Sequence, residues 1–219
     1  MPQTQGQIVT VGVTGASGAI LAQKALQFLE ADPRVARVHL VVTETGQRLF
    51  AEELGISSGD LQQLPGRILG STASPPSRAH QTKTEILPNK DVGASIASGS
   101  YGVDAMLVIP CSMGTLASIA NGASDDLIAR AADVTLKEGR KLVLCIRDTP
   151  FSRIHLENML RAQQAGALIM PAIPAFYHHP KTIDDLVTQY VCRVLAQIGL
   201  PQEKMYRWQG TGASREAQA

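Results

Sequence analysis

The apolar runs Ile8–Thr14, Val38–Thr43, Ala105–Pro110, Lys141–Ile146 and Ala167–Met170 lack the apolar–polar alternation of a half-exposed strand. Strands of that kind are buried on both faces, which confines the chain to folds in which helices cover a sheet on both sides. Between the first two runs, Ala19–Leu29 carries helical apolar spacing, so Ile8–Thr43 reads as one βαβ unit. The later runs each lead through a polar turn into a helical segment, and the whole predicts an α/β sandwich around a mostly parallel sheet. Ligands in such sheets sit at the carboxyl ends of the strands. Chemistry is therefore sought in the loops after Thr14, Thr43, Pro110, Ile146 and Met170.

Composition supports a folded chain with one core. Of 219 residues 44% are hydrophobic and 18% charged, ample for a single domain over 1–219 with its core at 8–208. Twenty Lys and Arg against 19 Asp and Glu leave a net charge of +1, which supplies no cationic surface for nucleic acid. Any bound anion must be held locally, by a few cations or backbone N–H groups. No stretch reaches the 18 apolar residues of a membrane span, and Met1–Gly6 has no basic leader. Cys111, Cys145 and Cys192 are widely separated and odd in number. They read as reduced thiols, and the expected location is the cytoplasm.

Thr182–Ile198 is the clearest helix. Thr182 caps it, Asp184 and Asp185 suit its positive end, and Ile183, Leu186, Val187, Tyr190, Val194 and Ile198 form an apolar stripe. Gly199 and Pro201 stop it. Residues 57–93 are rich in Ser, Pro, Gly and Gln and read as an extended excursion with a short strand at Thr84–Leu87. Residues 209–219 read as a flexible tail. Tyr177 and Lys181 match the Y-x-x-x-K spacing of short-chain dehydrogenases, but Pro180 forbids the interior helix that this chemistry requires.

The first run ends in Gly12-Val-Thr-Gly15-Ala-Ser-Gly18, a small-residue turn opening into a helix. Its glycines permit close backbone approach, and the helix start offers N–H groups to a phosphate or simply forms a tight turn. The spacing is not the dinucleotide fingerprint G-x-G-x-x-G. Pro110-Cys-Ser112-Met113-Gly114-Thr115 has the same physics, with Ser112 or Thr115 either binding a ligand or capping the next helix. Arg130 and Lys137 lie seven apart and share a helix face, as an anion site or a solvated basic face would. Arg147-Asp148 follows a buried strand, either as an edge cation or as an ordinary ion pair. His178 and His179 are adjacent and form no metal pair; no metal is assigned.

Taken in order, G-V-T-G-A-S-G, A-S-G-S (Ala97–Ser100), P-C-S-M-G-T-L, L-I-A-R-A-A-D-V-T-L-K-E, R-D-T-P-F-S, H-L-E-N-M and P-A-F-Y-H-H-P-K-T-I-D-D-L-V resemble the flavin prenyltransferase family over about Val9–Trp208. The resemblance implies a flavodoxin-like Rossmann fold, a homododecamer with sites between subunits, and metal-independent prenyl transfer. A dimethylallyl group would pass from dimethylallyl phosphate to N5 and C6 of reduced FMN, and the product would serve a UbiD-type decarboxylase. FMN would be bound by Gly15, Ala16, Ser17, Thr43, Ser112, Met113, Gly114, Thr115, Arg130 and Arg147. The prenyl phosphate would fall to Lys137, Arg147, Tyr177 and Arg193, with Met113, Tyr101 and Trp208 as walls. Ser17, Glu53 and Asp148 match positions that handle protons. Two departures stand out: the excursion Ser57–Asp91 is longer than usual, and Asp148 stands where the family typically has Glu.

Two other readings compete. FMN-dependent cysteine decarboxylases share the flavin-binding plan but use a P-A-S-A-N-T turn and a catalytic His, where this chain has P-C-S-M-G-T and no His close to Ala97–Ser100. A non-catalytic flavin carrier would need no second phosphate site, against the Lys137, Arg147, Tyr177 and Arg193 set.

Overall fold

The computed structural model describes residues 6–56, 63–69 and 82–208. Its strands are β1 (Gln7–Val13), β2 (Val35–Val42), β3 (Thr84–Pro88), β4 (Ala105–Cys111), β5 (Lys141–Ile146) and β6 (Leu168–Ile169). They form one sheet in the order β3-β2-β1-β4-β5-β6, with every pair parallel. Without the short edge strand β3, this is the flavodoxin order. The helices are α1 (Ala19–Ala31), α2 (Glu44–Leu54), α3 (Leu64–Ile68), α4 (Met113–Ala120), α5 (Leu127–Lys137), α6 (Arg153–Gln164) and α7 (Ile183–Gln197).

The missing alternation has a direct explanation. Val9, Val11, Val13, Leu107, Val143 and Cys145 point into one core with α1 and α7, joined by Phe50 of α2 and Ile68 of α3. Met106, Val108, Leu142 and Leu144 point into a second core with α4, α5 and Ala162 of α6. Each strand therefore needs apolar residues at consecutive positions, and the chain is a three-layer sandwich. The layering places α5 and α7 on opposite faces of the sheet.

The C-terminal helix starts as its sequence requires. Thr182 and Asp185 form a reciprocal capping box, and Pro180 lies outside the helix, which removes the dehydrogenase spacing. Its stripe is shifted from the expected one: Val187, Val191, Val194, Leu195 and Ile198 are buried, while Ile183 is 72% exposed. The first turn is tied to α1 by a Lys24–Asp184 ion pair instead. The expected strand at Thr84–Leu87 is present as β3, whereas α3, opening with a proline in its first turn, was not anticipated. Of the expected excursion, residues 57–62 and 70–81 lie outside the described residues, as do residues 209–219. Among the described residues no helix is long and apolar enough to cross a membrane.

Candidate active site

β1 and β4 are neighbours whose chains leave in opposite directions, which opens a crevice at their carboxyl ends. Thr14 knits the two loops there: its hydroxyl donates to the Pro110 carbonyl at 2.9 Å and accepts from the Ser112 N–H at 2.8 Å. Thr43, whose N–H donates to the Val13 carbonyl at 3.0 Å, caps α2 through Gly46. Ser112 caps α4 by accepting from the Thr115 N–H, and donates to the Thr115 hydroxyl at 3.1 Å. Thr43, Ser112 and Thr115, with Gly15, Thr45 and Gly114, line a cleft of about 320 Å³. Gly15 is required by close approach, since a Cβ there would lie 2.7 Å from Thr45 Cγ2.

The two helix starts differ. At α1, Gly18 adopts φ +117°, and the N–H groups of Gly18 and Ala19 donate to the Glu53 carboxylate at 3.0 and 2.8 Å. The positive end that the sequence offers to a phosphate is thus filled by the protein's own anion. Ser17 stands exposed beside it and Ala16 is buried. At α4 the capping serine serves Thr115, so the first-turn N–H groups of Met113 and Gly114 have no helical partner, and Gly114 lines the cleft. That is the better anion seat.

Arg147 leaves β5 next to this seat, its N–H donating to the Cys111 carbonyl at 3.2 Å. Its Nε is buried and has no hydrogen-bond acceptor. Asp148 does not pair with it; the exposed carboxylate accepts from the Thr149 N–H at 2.8 Å. The ordinary ion pair is absent, and an orphaned guanidinium N–H calls for an anion. Cys111 and Cys145 lie buried below, where burial raises the Cys145 thiol to about 12 and the Cys111 thiol well above its usual range. Both are protonated at neutral pH and are not nucleophiles.

The remaining predicted residues form two further groups. Arg130 reaches from α5 to the Ala97 carbonyl at 3.2 Å and pairs with Asp133. Lys137, on the same face, stands against Gly99 and pairs with Glu138. On the opposite layer, Arg193 of α7 points Nη1 at the Tyr177 hydroxyl at 3.4 Å. The Tyr206 ring lies 5.6 Å from that of Tyr177, and Trp208 is exposed. Lys137 precedes the amino end of β5 and Arg147 follows its carboxyl end, about 20 Å away at the usual rise of a strand. One chain therefore does not bring Lys137, Arg147 and Arg193 together.

The Flavoprotein family matches residues 2–195. A protein of Halalkalibacterium halodurans named flavin prenyltransferase UbiX is 45% identical over 201 residues, 92% of this chain and 93% of the relative. The chain belongs to the flavin prenyltransferase family. Among solved structures of this family, a UbiX in complex with FMN and dimethylallyl pyrophosphate superposes with a TM-score of 0.80 at 38% identity, covering 94% of this chain and 98% of that one. A dodecameric FMN-dependent UbiX-like decarboxylase from Escherichia coli O157:H7 gives 0.81 at 42% identity, covering 93% and 100%. The β1–β4 crevice is the switch point at which a sheet of this order seats a ligand, and it contains residues that sequence reasoning missed. Thr14, 1% exposed, reads as a strand residue although it joins both loops. Asp126 caps α5 and faces the same cleft. A Thr closing a buried strand just before a glycine turn was the available signal for the first; no local signal marks the second.

Proposed function

We propose that this chain transfers a dimethylallyl group from dimethylallyl phosphate to N5 and C6 of reduced FMN, in sites built between copies of itself. The observation that carries the reading is the buried, unpartnered Arg147 Nε beside the open start of α4. The hydroxyls of Thr43, Ser112 and Thr115, the N–H groups of Met113 and Gly114, and Gly15 fit a flavin phosphate and ribityl chain. Bound there, reduced FMN supplies N5 and C6 as carbon-accepting positions.

Arg147, Arg193, Lys137 and Tyr177 take up the charge of the phosphate that departs with the C–O electron pair. Met113, Tyr101 and Trp208 keep water from the allylic cation. Ser17 and Glu53 take the N5 proton as that bond forms and return it to C2 of the prenyl double bond, which leaves C3 electron-poor for attack by C6, and Asp148 removes the C6 proton after the second bond closes. Arg130 holds the Ala97–Ser100 turn over the flavin side. Because α5 and α7 lie on opposite layers, Lys137 and Arg193 reach one phosphate only from different copies, for which a dodecamer is the arrangement we favour. The prenylated flavin then passes to a UbiD-type decarboxylase in the cytoplasm. Incubating the purified protein anaerobically with reduced FMN and dimethylallyl phosphate should yield a flavin heavier by one prenyl unit in mass spectrometry. FMN bound but recovered unchanged would refute the proposal.

A further inference from the structure

Gln189 is 3% exposed on α7, a place where an amide is costly unless its donors and acceptor are matched. Its Nε2 donates to the Tyr177 hydroxyl at 3.4 Å and to the Tyr206 carbonyl at 3.2 Å, and its Oε1 accepts from the Tyr206 N–H at 2.9 Å. One turn along, Arg193 approaches the same hydroxyl at 3.4 Å. A phenol oxygen carries two lone pairs and one hydrogen. With N–H donors on both lone pairs, the hydrogen of Tyr177 is left to donate, and an anionic oxygen is what it suits.

The amide also works from the other side of the ring. After α7 the chain turns back along the helix. Its lower part is pinned where Gln202 donates to Asp32 at 3.0 Å and Arg34 to the Pro201 carbonyl at 3.0 Å. Its upper part is held by Gln189, which bonds both backbone groups of Tyr206 as a strand partner would. That places the Tyr206 ring 5.6 Å from Tyr177.

We propose that Gln189 is a positioning residue, which makes the Tyr177 hydroxyl an obligate donor to the prenyl phosphate and latches the 200–208 segment beside it. The inference rests on Tyr177 being a phosphate ligand. It is tested by a double-mutant cycle in the holoenzyme, with reduced FMN saturating and dimethylallyl phosphate varied. Gln189→Met should raise KM for dimethylallyl phosphate about fivefold to tenfold while FMN affinity is kept. In a Tyr177→Phe background the same change should alter KM less than twofold. Gln189→Glu keeps the shape but accepts the phenol hydrogen, so it should raise KM further than Met. It replaces Met in the cycle if that variant does not fold. A wild-type KM in Tyr177→Phe itself would overturn the Tyr177 reading and this inference together. A raised KM in Tyr177→Phe, with the Gln189 effect equal in both backgrounds, would overturn the positioning role alone.

Discussion

Glu53 joins two jobs at one carboxylate. It satisfies two N–H groups at the start of α1, and in the proposed reaction it also exchanges a proton beside Ser17. Glu53→Ala should cost about 1 kcal/mol of stability in urea unfolding, the usual value of a helix-start anion. An unchanged midpoint would show that the cap is dispensable. Asp148 is free of Arg147, so its role is separable: Asp148→Asn should slow prenyl transfer by about 10²–10⁴ without loss of FMN binding, the range of general-base catalysis. Single-turnover rates within tenfold of wild type would exclude that role, and Asp148→Glu should keep or raise activity. His39 is 1% exposed, with Nε2 on the Tyr101 hydroxyl at 2.9 Å. Burial holds its pKa below the ordinary 6.5 despite the raising influence of Glu85. The unfolded chain therefore binds a proton first as pH falls, and stability present above about 6.5 should be lost below it. Melting temperatures from pH 7.5 to 5 should fall more steeply in wild type than in His39→Gln.

At the scale of elements, the C-terminal segment hangs on Asp32. Hydrogen bonds from Arg34 hold that carboxyl well below its usual 3.8, and Gln202 adds a further donor. A depressed folded-state pKa stabilises above the unfolded value and fades as pH drops through it. Asp32→Asn should thus lose about 1–3 kcal/mol at pH 7, and the difference from wild type should begin to narrow at pH 3.8 and close only as pH falls through the much lower folded-state value. A gap that persists in acid would mean packing, not charge, sets the loss. This segment was illegible in the sequence because its order comes from Asp32, Arg34 and Gln189, all distant in the chain. The strands were legible because burial on both faces leaves a mark at every position. α1 is legible as a helix, but its start reads either as a phosphate seat or as a tight turn, since Glu53 lies 35 residues from Gly18 and nothing local announces it. Arg193 lies off the apolar stripe of α7, so packing alone does not account for it, and the structure finds it against Tyr177.

The whole molecule leaves apolar side chains in water that a lone chain does not explain. Ile154, Leu156 and Leu160 of α6 are all more than half exposed, as are Ile173, Phe176 and Ile183 near α7. Such patches are characteristic of interfaces, which suits the proposed assembly in which the α5 cations of one chain serve the α7 cluster of another. That assembly is the central claim, and a mixed-subunit assay tests it directly. Lys137→Ala and Arg193→Ala chains, each inactive alone, are co-expressed with different tags and purified as mixed assemblies, and prenylated flavin is quantified. If a site takes Lys137 and Arg193 from different copies, random mixing leaves about a quarter of the sites intact, and activity should recover to about a quarter of wild type. Mixed assemblies no more active than either parent would show that both residues must come from one chain, against the layering described above.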